Sequence, residues 1–261
     1  MKKMKVFEKI YMWIILVFMY VPILTLIVLS FNRSKSRSHW AGFTFNWYIR
    51  LFRDSEILNA LANTLVIALI ATIVATIIGT VTTVALVGLN RRTRAVIMGI
   101  TNIPMLNADI VTGVSFMLLF LTLRIQFGFG TILLAHITFN IPYVILSVMP
   151  SYRDLNPHIY EAALDLGASP VYAFIKTVLP EIMPAILSGG LMAFTMSIDD
   201  FIITHFTAGA GVHTLSTKIY SEVKLGIKPE MYALSAMIFI TVLILLILVN
   251  RVQGSARKED A

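Results

Sequence analysis

The chain has 261 residues, of which 57% are hydrophobic and only 13% charged, with a mean hydropathy of +0.82. These values lie far outside the range of soluble globular domains and define an integral membrane protein. The formal net charge of +7 is scattered over loops between apolar spans. That pattern fits lysine and arginine retained at a membrane surface rather than a nucleic-acid face, and the absence of cysteine excludes a disulfide framework, a thiol nucleophile and a cysteine-ligated metal.

The first apolar segment, 10–30, is long enough to cross a hydrocarbon core of roughly 30 Å. Lys2, Lys3, Lys5 and Lys9 precede it in the manner of a signal peptide, but Ser30-Phe31-Asn32-Arg33 offers no small-x-small cleavage site, so it reads as an uncleaved first span. The loop that follows, 31–63, is amphipathic in its second half. Trp47, Tyr48, Leu51 and Phe52 share one helical face and Arg50, Arg53 and Asp54 the other, the pattern of an interfacial helix with its rings at headgroup level. The alternative use of Trp47 is at the entrance of a pathway.

Further spans are predicted at 64–89, 95–121, 130–149, 182–206 and 231–250, giving an all-α, six-span domain with no internal repeat. The span 95–121 carries Asn102, Pro104, Asn107, Asp109 and Gly113, a polar and bendable middle. Arg91, Arg92 and Arg94 in a short loop and the lysines of the N-terminal segment place both termini in the cytoplasm, although the loops left outside also hold more basic than acidic residues.

Asp109, Asp199 and Asp200 are the acids inside the predicted spans. Each would cost about 2.5–3.5 kcal/mol at the centre of a lipid-facing helix, so they must face the bundle interior, a partner or water. At roughly 1.5 Å per residue, Asp109 lies about 21 Å and Asp199 about 25 Å from the inner ends of their spans, both in the outer half. Two carboxylates at similar depth could form one cation site. The competing reading pairs each with a nearby donor or makes Asp200 a helix-interrupting cap, and adjacent side chains point about 100° apart, so Asp199 and Asp200 are not expected both to face one cavity. His136 and His205 lack metal-ligand spacing and read as satisfied core histidines. No Gly-x-x-x-x-Gly-Lys-Ser/Thr phosphate loop is present, and no nucleophile, base and orienter fall into a recognisable arrangement.

Between the fourth and fifth spans lies a polar loop, 153–180. Asn156 can cap a short helix with Pro157 in its first turn, Gly167 stops it, and Ser169-Pro170 starts a second helix that Pro180 is predicted to end. Ala162 and Ala163 leave one side of the first helix open to close approach by another surface, with Glu161 beside them.

Glu161-Ala162-Ala163, Gly167 and the later Leu179-Pro180 resemble the signature loop of the permease subunits of bacterial binding-protein-dependent ABC importers. One position departs from the pattern: Thr177 stands where an aliphatic residue is usual. The resemblance extends over nearly the whole chain and narrows to the PotC-type permeases of spermidine/putrescine importers, through Asn46-Trp47-Tyr48, Asn107-Ala108-Asp109-Ile110-Val111, His136-Ile137-Thr138-Phe139, Ser197-Ile198-Asp199-Asp200 and 218–224. It implies a type I importer permease fold whose cytoplasmic coupling helix, with Glu161, Ala162, Ala163, Gly167, Leu179 and Pro180, sits in a groove of a separate ATPase. It also implies substrate-pathway roles for Trp47, Asp109 and Asp199, with Asp200 beside them.

The partners it implies are a second homologous permease, two ATPase subunits and an extracytoplasmic polyamine-binding protein, in a bacterial plasma membrane and with membrane lipid around the spans. No cofactor is implied for this chain, ATP and Mg being held by the partner ATPase. Two other readings stay open: the same architecture importing another solute, and a self-sufficient secondary carrier.

Overall fold

The computed structural model describes residues 6–243 apart from 37, 226, 227 and 242, and the described residues are almost all helical. They divide into two compact units, one formed by 1–58 with 219–261 and the other by 59–218.

In the first unit α1 (Val6–Ser30) presents an apolar surface from Ile10 onward that is largely exposed among the described residues. Its end is tied down. Ser30 Oγ lies 2.7 Å from the Tyr48 hydroxyl, and the rings of Phe31, Phe43, Phe45 and Tyr48 stack on one another. Asn32 is the keystone of the loop: its Oδ1 accepts the N–H groups of Ser34 and Ala41, and its Nδ2 donates to the His39 carbonyl. The interfacial face predicted around Trp47 divides in two, because α2 (Asn46–Leu51) turns Trp47 and Leu51 inward while Phe52 stays exposed. The last predicted span, 231–250, is helical over 231–241, and its remainder lies largely outside the described residues.

In the second unit α3 (Ser55–Val87) continues from the first and begins nine residues before the predicted span, because Asp54 Oδ1 accepts the N–H groups of Glu56 and Ile57 and so supplies a cap. At 33 residues it is about 50 Å long, more than a bilayer core requires. The region predicted as a single span at 95–121 is two helices, α4 (Arg91–Leu106) and α5 (Asp109–Thr122), meeting at 105°. Pro104 lacks the N–H that α4 needs near its end, and Asn107 and Ala108 are both extended, so the chain turns there. A straight-rod depth for Asp109 therefore does not apply.

The packing of α6 (Phe129–Arg153) rests on small residues. Val144 is fully buried between two helices that approach it through glycine: a methyl on Gly79 of α3 would come 2.8 Å from the Val144 Cβ, and one on Gly189 would come 3.2 Å from its Cα. This is how helices associate where lipid removes the hydrophobic drive. Ser147 adds an interhelical bond, its hydroxyl donating to the Ala185 carbonyl.

After α7 (Pro157–Asp165), α8 (Pro170–Ala173) does not end at Pro180. A π-helical turn, Phe174–Val178, carries it into α9 (Leu179–Asp199). In that turn the Leu179 N–H bonds the Phe174 carbonyl five residues back, and the wider register accommodates the proline ring where an α-turn would clash. Thr177, the departure from the signature pattern, donates its hydroxyl to the Ala173 carbonyl at the start of this turn. The predicted span 182–206 also divides: α9 stops at Asp199, Asp200 is extended, and α10 (Ile202–Thr207) restarts before α11 (Leu215–Leu225).

At the end of α10 the main chain of Gly209 runs against that of Phe127 and Gly128. A methyl there would overlap the Phe127 carbonyl and sit 2.9 Å from the Gly128 nitrogen, whereas Gly130 has open space around it. Gly209→Ala should therefore destabilise the protein by about 1–3 kcal/mol, and Gly130→Ala should not, read as thermal unfolding midpoints of the purified proteins.

Candidate functional site

The two interrupted spans meet. α5 packs on α10 so closely that a methyl on Gly113 would come 3.0 Å from the Phe206 ring and 3.4 Å from the Ile203 Cα. Both interruptions open on one cavity of about 310 Å³, lined by Pro104, Asp109, Phe139, Tyr143, Met196, Asp199, Asp200 and 201–203. Among the described residues no lysine, arginine or histidine lines it.

The three carboxylates are placed differently. Asp109 is exposed in the first turn of α5, where a negative charge is favoured by the helix dipole. Asp199 is the last residue of α9 and is exposed, at the helix end that favours a cation. The Asp200 side chain is only 7% exposed and is occupied. Its Oδ1 accepts the Ile203 N–H at 3.1 Å, and its Oδ2 accepts the Thr204 N–H at 2.7 Å and the Thr204 hydroxyl at 2.8 Å. Asp200 thus satisfies the free donors of α10.

Behind it His136 is buried with both ring nitrogens bonded, Nδ1 to Ser197 Oγ at 2.6 Å and Nε2 to Thr204 Oγ1 at 2.9 Å. Sequence reasoning passed over His136 and Ser197 as a functional pair, and their 61-residue separation leaves no local signal.

Trp47 belongs to the other compact unit and is 5% exposed. Its indole N–H donates to the Asn32 carbonyl at 2.7 Å, and the Arg50 guanidinium lies 5.2 Å over its ring.

The polar loop forms a second surface. Asn156 Oδ1 accepts the His158 N–H to cap α7, and Glu161 is exposed beside His158, 3.1 Å from its Nδ1. α7 ends on Gly167 with φ +87°. The Gly167 N–H bonds the Leu164 carbonyl and the Ala168 N–H bonds the Ala163 carbonyl, the paired closure that a left-handed glycine allows. Ser169 then caps α8 by accepting from the Tyr172 N–H. The turn leaves Leu166 90% exposed, with Val171 and Tyr172 also open. These side chains form an exposed apolar rim around the small-residue helix. Leu179 and Pro180 follow the π turn against which α7 packs.

Long apolar helices, two interrupted spans around an acidic cavity and an exposed elbow are the features of a membrane transport subunit. Residues 75–256 match the family of binding-protein-dependent transport system inner membrane components, and the chain belongs to that family. It is 37% identical to the spermidine/putrescine transport system permease protein PotC of Haemophilus influenzae, over 91% of this chain and 93% of that one. It is 38% identical to PotC of Escherichia coli K12, over 91% and 90%, and 38% identical to the putrescine permease PotI of the same organism, over 85% and 81%. Among solved structures it resembles a bacterial ABC transporter involved in alginate import (TM-score 0.71, 17% identity, 97% and 99% covered) and an amino acid ABC transporter (TM-score 0.58, 15% identity, 80% and 97% covered). The fold is therefore that of an ABC importer permease.

Because Asp200 caps α10 and Asp199 bonds no helix end, the two adjacent acids separate in a stability measurement. Asp200→Ala leaves buried N–H groups unpaired and should cost about 1–3 kcal/mol, while Asp199→Ala should leave the thermal midpoint within a degree or so of the parent.

Proposed function

We propose that this chain is the permease subunit of an ATP-driven polyamine importer, forming half of a translocation pathway in which Asp109 and Asp199 meet the substrate directly. The observation that carries this reading is the cavity where the two interrupted spans meet, with three carboxylates and no basic side chain among the described residues. The two exposed carboxylates attract an ammonium group, and more strongly once a second permease walls the passage from water, while the rings of Phe139, Tyr143 and Phe201 line the same cavity. The relatives named for spermidine and putrescine support the same substrate class. An anionic solute would be repelled, so the shared fold with an alginate importer does not extend to its cargo.

Within this reading Asp200 contributes a fixed charge and keeps its oxygens for α10. Trp47, the third expected pathway position, has its ring buried and its N–H bonded inside its own loop, which favours anchoring of that loop. The α7 elbow is the coupling helix. Glu161, Ala162, Ala163 and the left-handed turn at Gly167 present it to an ATPase subunit, and Leu179 and Pro180 carry its displacement into α9. Both termini and the elbow lie in the cytoplasm. A second homologous permease completes the pathway, and an extracytoplasmic binding protein delivers the polyamine. ATP binding on the two partner ATPases, with their Mg, turns the pathway outward, and hydrolysis returns it inward.

Asp109→Asn and Asp199→Asn, at matched amounts of assembled complex, should each lower spermidine or putrescine uptake by roughly tenfold, the cost of one charge-assisted contact. Undiminished uptake in both removes the pathway assignment. Gly167→Ala strains the left-handed turn by about 1 kcal/mol and should weaken the stimulation of ATPase by loaded binding protein while leaving the permease in the membrane. An unaltered stimulation counts against the coupling role.

A further inference from the structure

His136 belongs to none of the roles above, and its geometry gives it one. It sits on α6 and reaches both sides of the interruption between α9 and α10. Nδ1 is 2.6 Å from Ser197 Oγ in the last turn of α9, Nε2 is 2.9 Å from Thr204 Oγ1 in the first turn of α10, and Oδ2 of Asp200, in the interruption itself, lies 3.4 Å from Nε2. The Thr204 hydroxyl sets the direction of one of these bonds: it donates to the Asp200 carboxylate 2.8 Å away, so Thr204 Oγ1 accepts from His136 Nε2–H. The series Ser197, His136, Thr204, Asp200 is thus continuous, with a partner for each ring nitrogen. The far end of α10 is held by the same helix, since the Thr131 hydroxyl of α6 donates to the Thr207 carbonyl at 2.8 Å.

We propose that His136 is a positioning residue for Asp199. By bonding Ser197, two residues before it, and Thr204, five after it, and through Thr204 fixing Asp200, the imidazole holds the interrupted backbone in the one arrangement that turns the Asp199 carboxylate into the cavity shared with Asp109. Burial alone would require partners for both nitrogens, but not partners on opposite sides of the interruption, and a histidine with one partner could not bridge it. His136 also packs on Phe139, centroids 5.2 Å apart, so α6 supplies a wall of the cavity and its brace together. The inference rests on the pathway reading of Asp199 for its functional meaning, and on distances alone for its geometry.

The chain has no cysteine, so Asp199→Cys is the single thiol of this subunit, and its labelling is read on this subunit's band in the assembled transporter. In membranes it should react with a small cationic methanethiosulfonate, and adding His136→Phe, which keeps a ring and loses both bonds, should slow that reaction roughly tenfold, the cost of leaving a buried polar group unpaired. His136→Gln, whose amide both donates and accepts, should restore most of it. With Asp199 intact, uptake should follow the same order, Gln above Phe, at equal complex in the membrane.

Ser197→Ala and Thr204→Val each cut one arm and are read the same way if His136→Phe does not assemble. Labelling and uptake that Phe preserves and Gln impairs would assign His136 to packing and overturn the proposal, as would parental labelling in Ser197→Ala and Thr204→Val. If labelling depends on His136 while Asp109→Asn and Asp199→Asn transport normally, the brace stands and the pathway reading falls.

Discussion

Every backbone N–H that an interrupted helix exposes inside a membrane span must find an acceptor, because no bulk water is there to supply one. The structure meets this demand at the α9–α10 interruption with the carboxylate of Asp200, which takes the N–H groups of Ile203 and Thr204 and the Thr204 hydroxyl. The chain can then leave and re-enter helix within three residues. The cavity exists because of that permission. With α9 continued into α10, the 201–203 segment would run on as a cylinder and the pocket at Asp109 would lose one of its walls.

What holds the interruption in place is the close packing of α6. Glycines at 79 and 189 let α3 and α9 approach Val144 from two directions, and a core of Val148, Val178 and Ile182 continues the contact toward the elbow, where Tyr160 of α7 packs against it. From Pro170 the chain is helical without a gap to Asp199, the π turn having accommodated Pro180. One stiff element therefore joins the exposed elbow to the acidic end of α9. The π turn sits where α7 packs against this rod.

The features legible in the sequence were those with a local cause. Hydrophobic runs announced α1, α3 and α6, and the Asn156, Gly167 and Ser169-Pro170 signals gave the elbow its caps and its stop, each through a bond made within six residues. Where a proline or an acid had two possible effects, local reasoning was uneven. Pro180 was predicted to end a helix that a π turn carries through it, whereas the polar middle of 95–121 does bend as predicted, by 105°, and Asp200 is the helix-interrupting cap that one of its two readings gave. The start of α3 was hidden because a single cap at Asp54 extends a helix into polar sequence. His136 was read as satisfied, and it is, but satisfaction by partners 61 and 68 residues away has a structural consequence that no spacing rule can express.

The two neighbouring acids show why burial and bonding decide a carboxylate's use. On a continuous helix Asp199 and Asp200 would diverge by about 100° and only one could face a cavity. The interruption removes that restriction, and both line it, yet they remain unlike. Asp200 accepts three hydrogen bonds from its own chain, so a ligand that took one of its oxygens would leave a donor of α10 unpaired and lose there what it gained. Asp199 ends α9 and Asp109 opens α5, both exposed, so a cation can be bound by these two without unfastening the helix beside them. The proposed pathway, which would release its cargo on every cycle, is better served by carboxylates that hold no helix end, with Asp200 kept behind them on its own bonds.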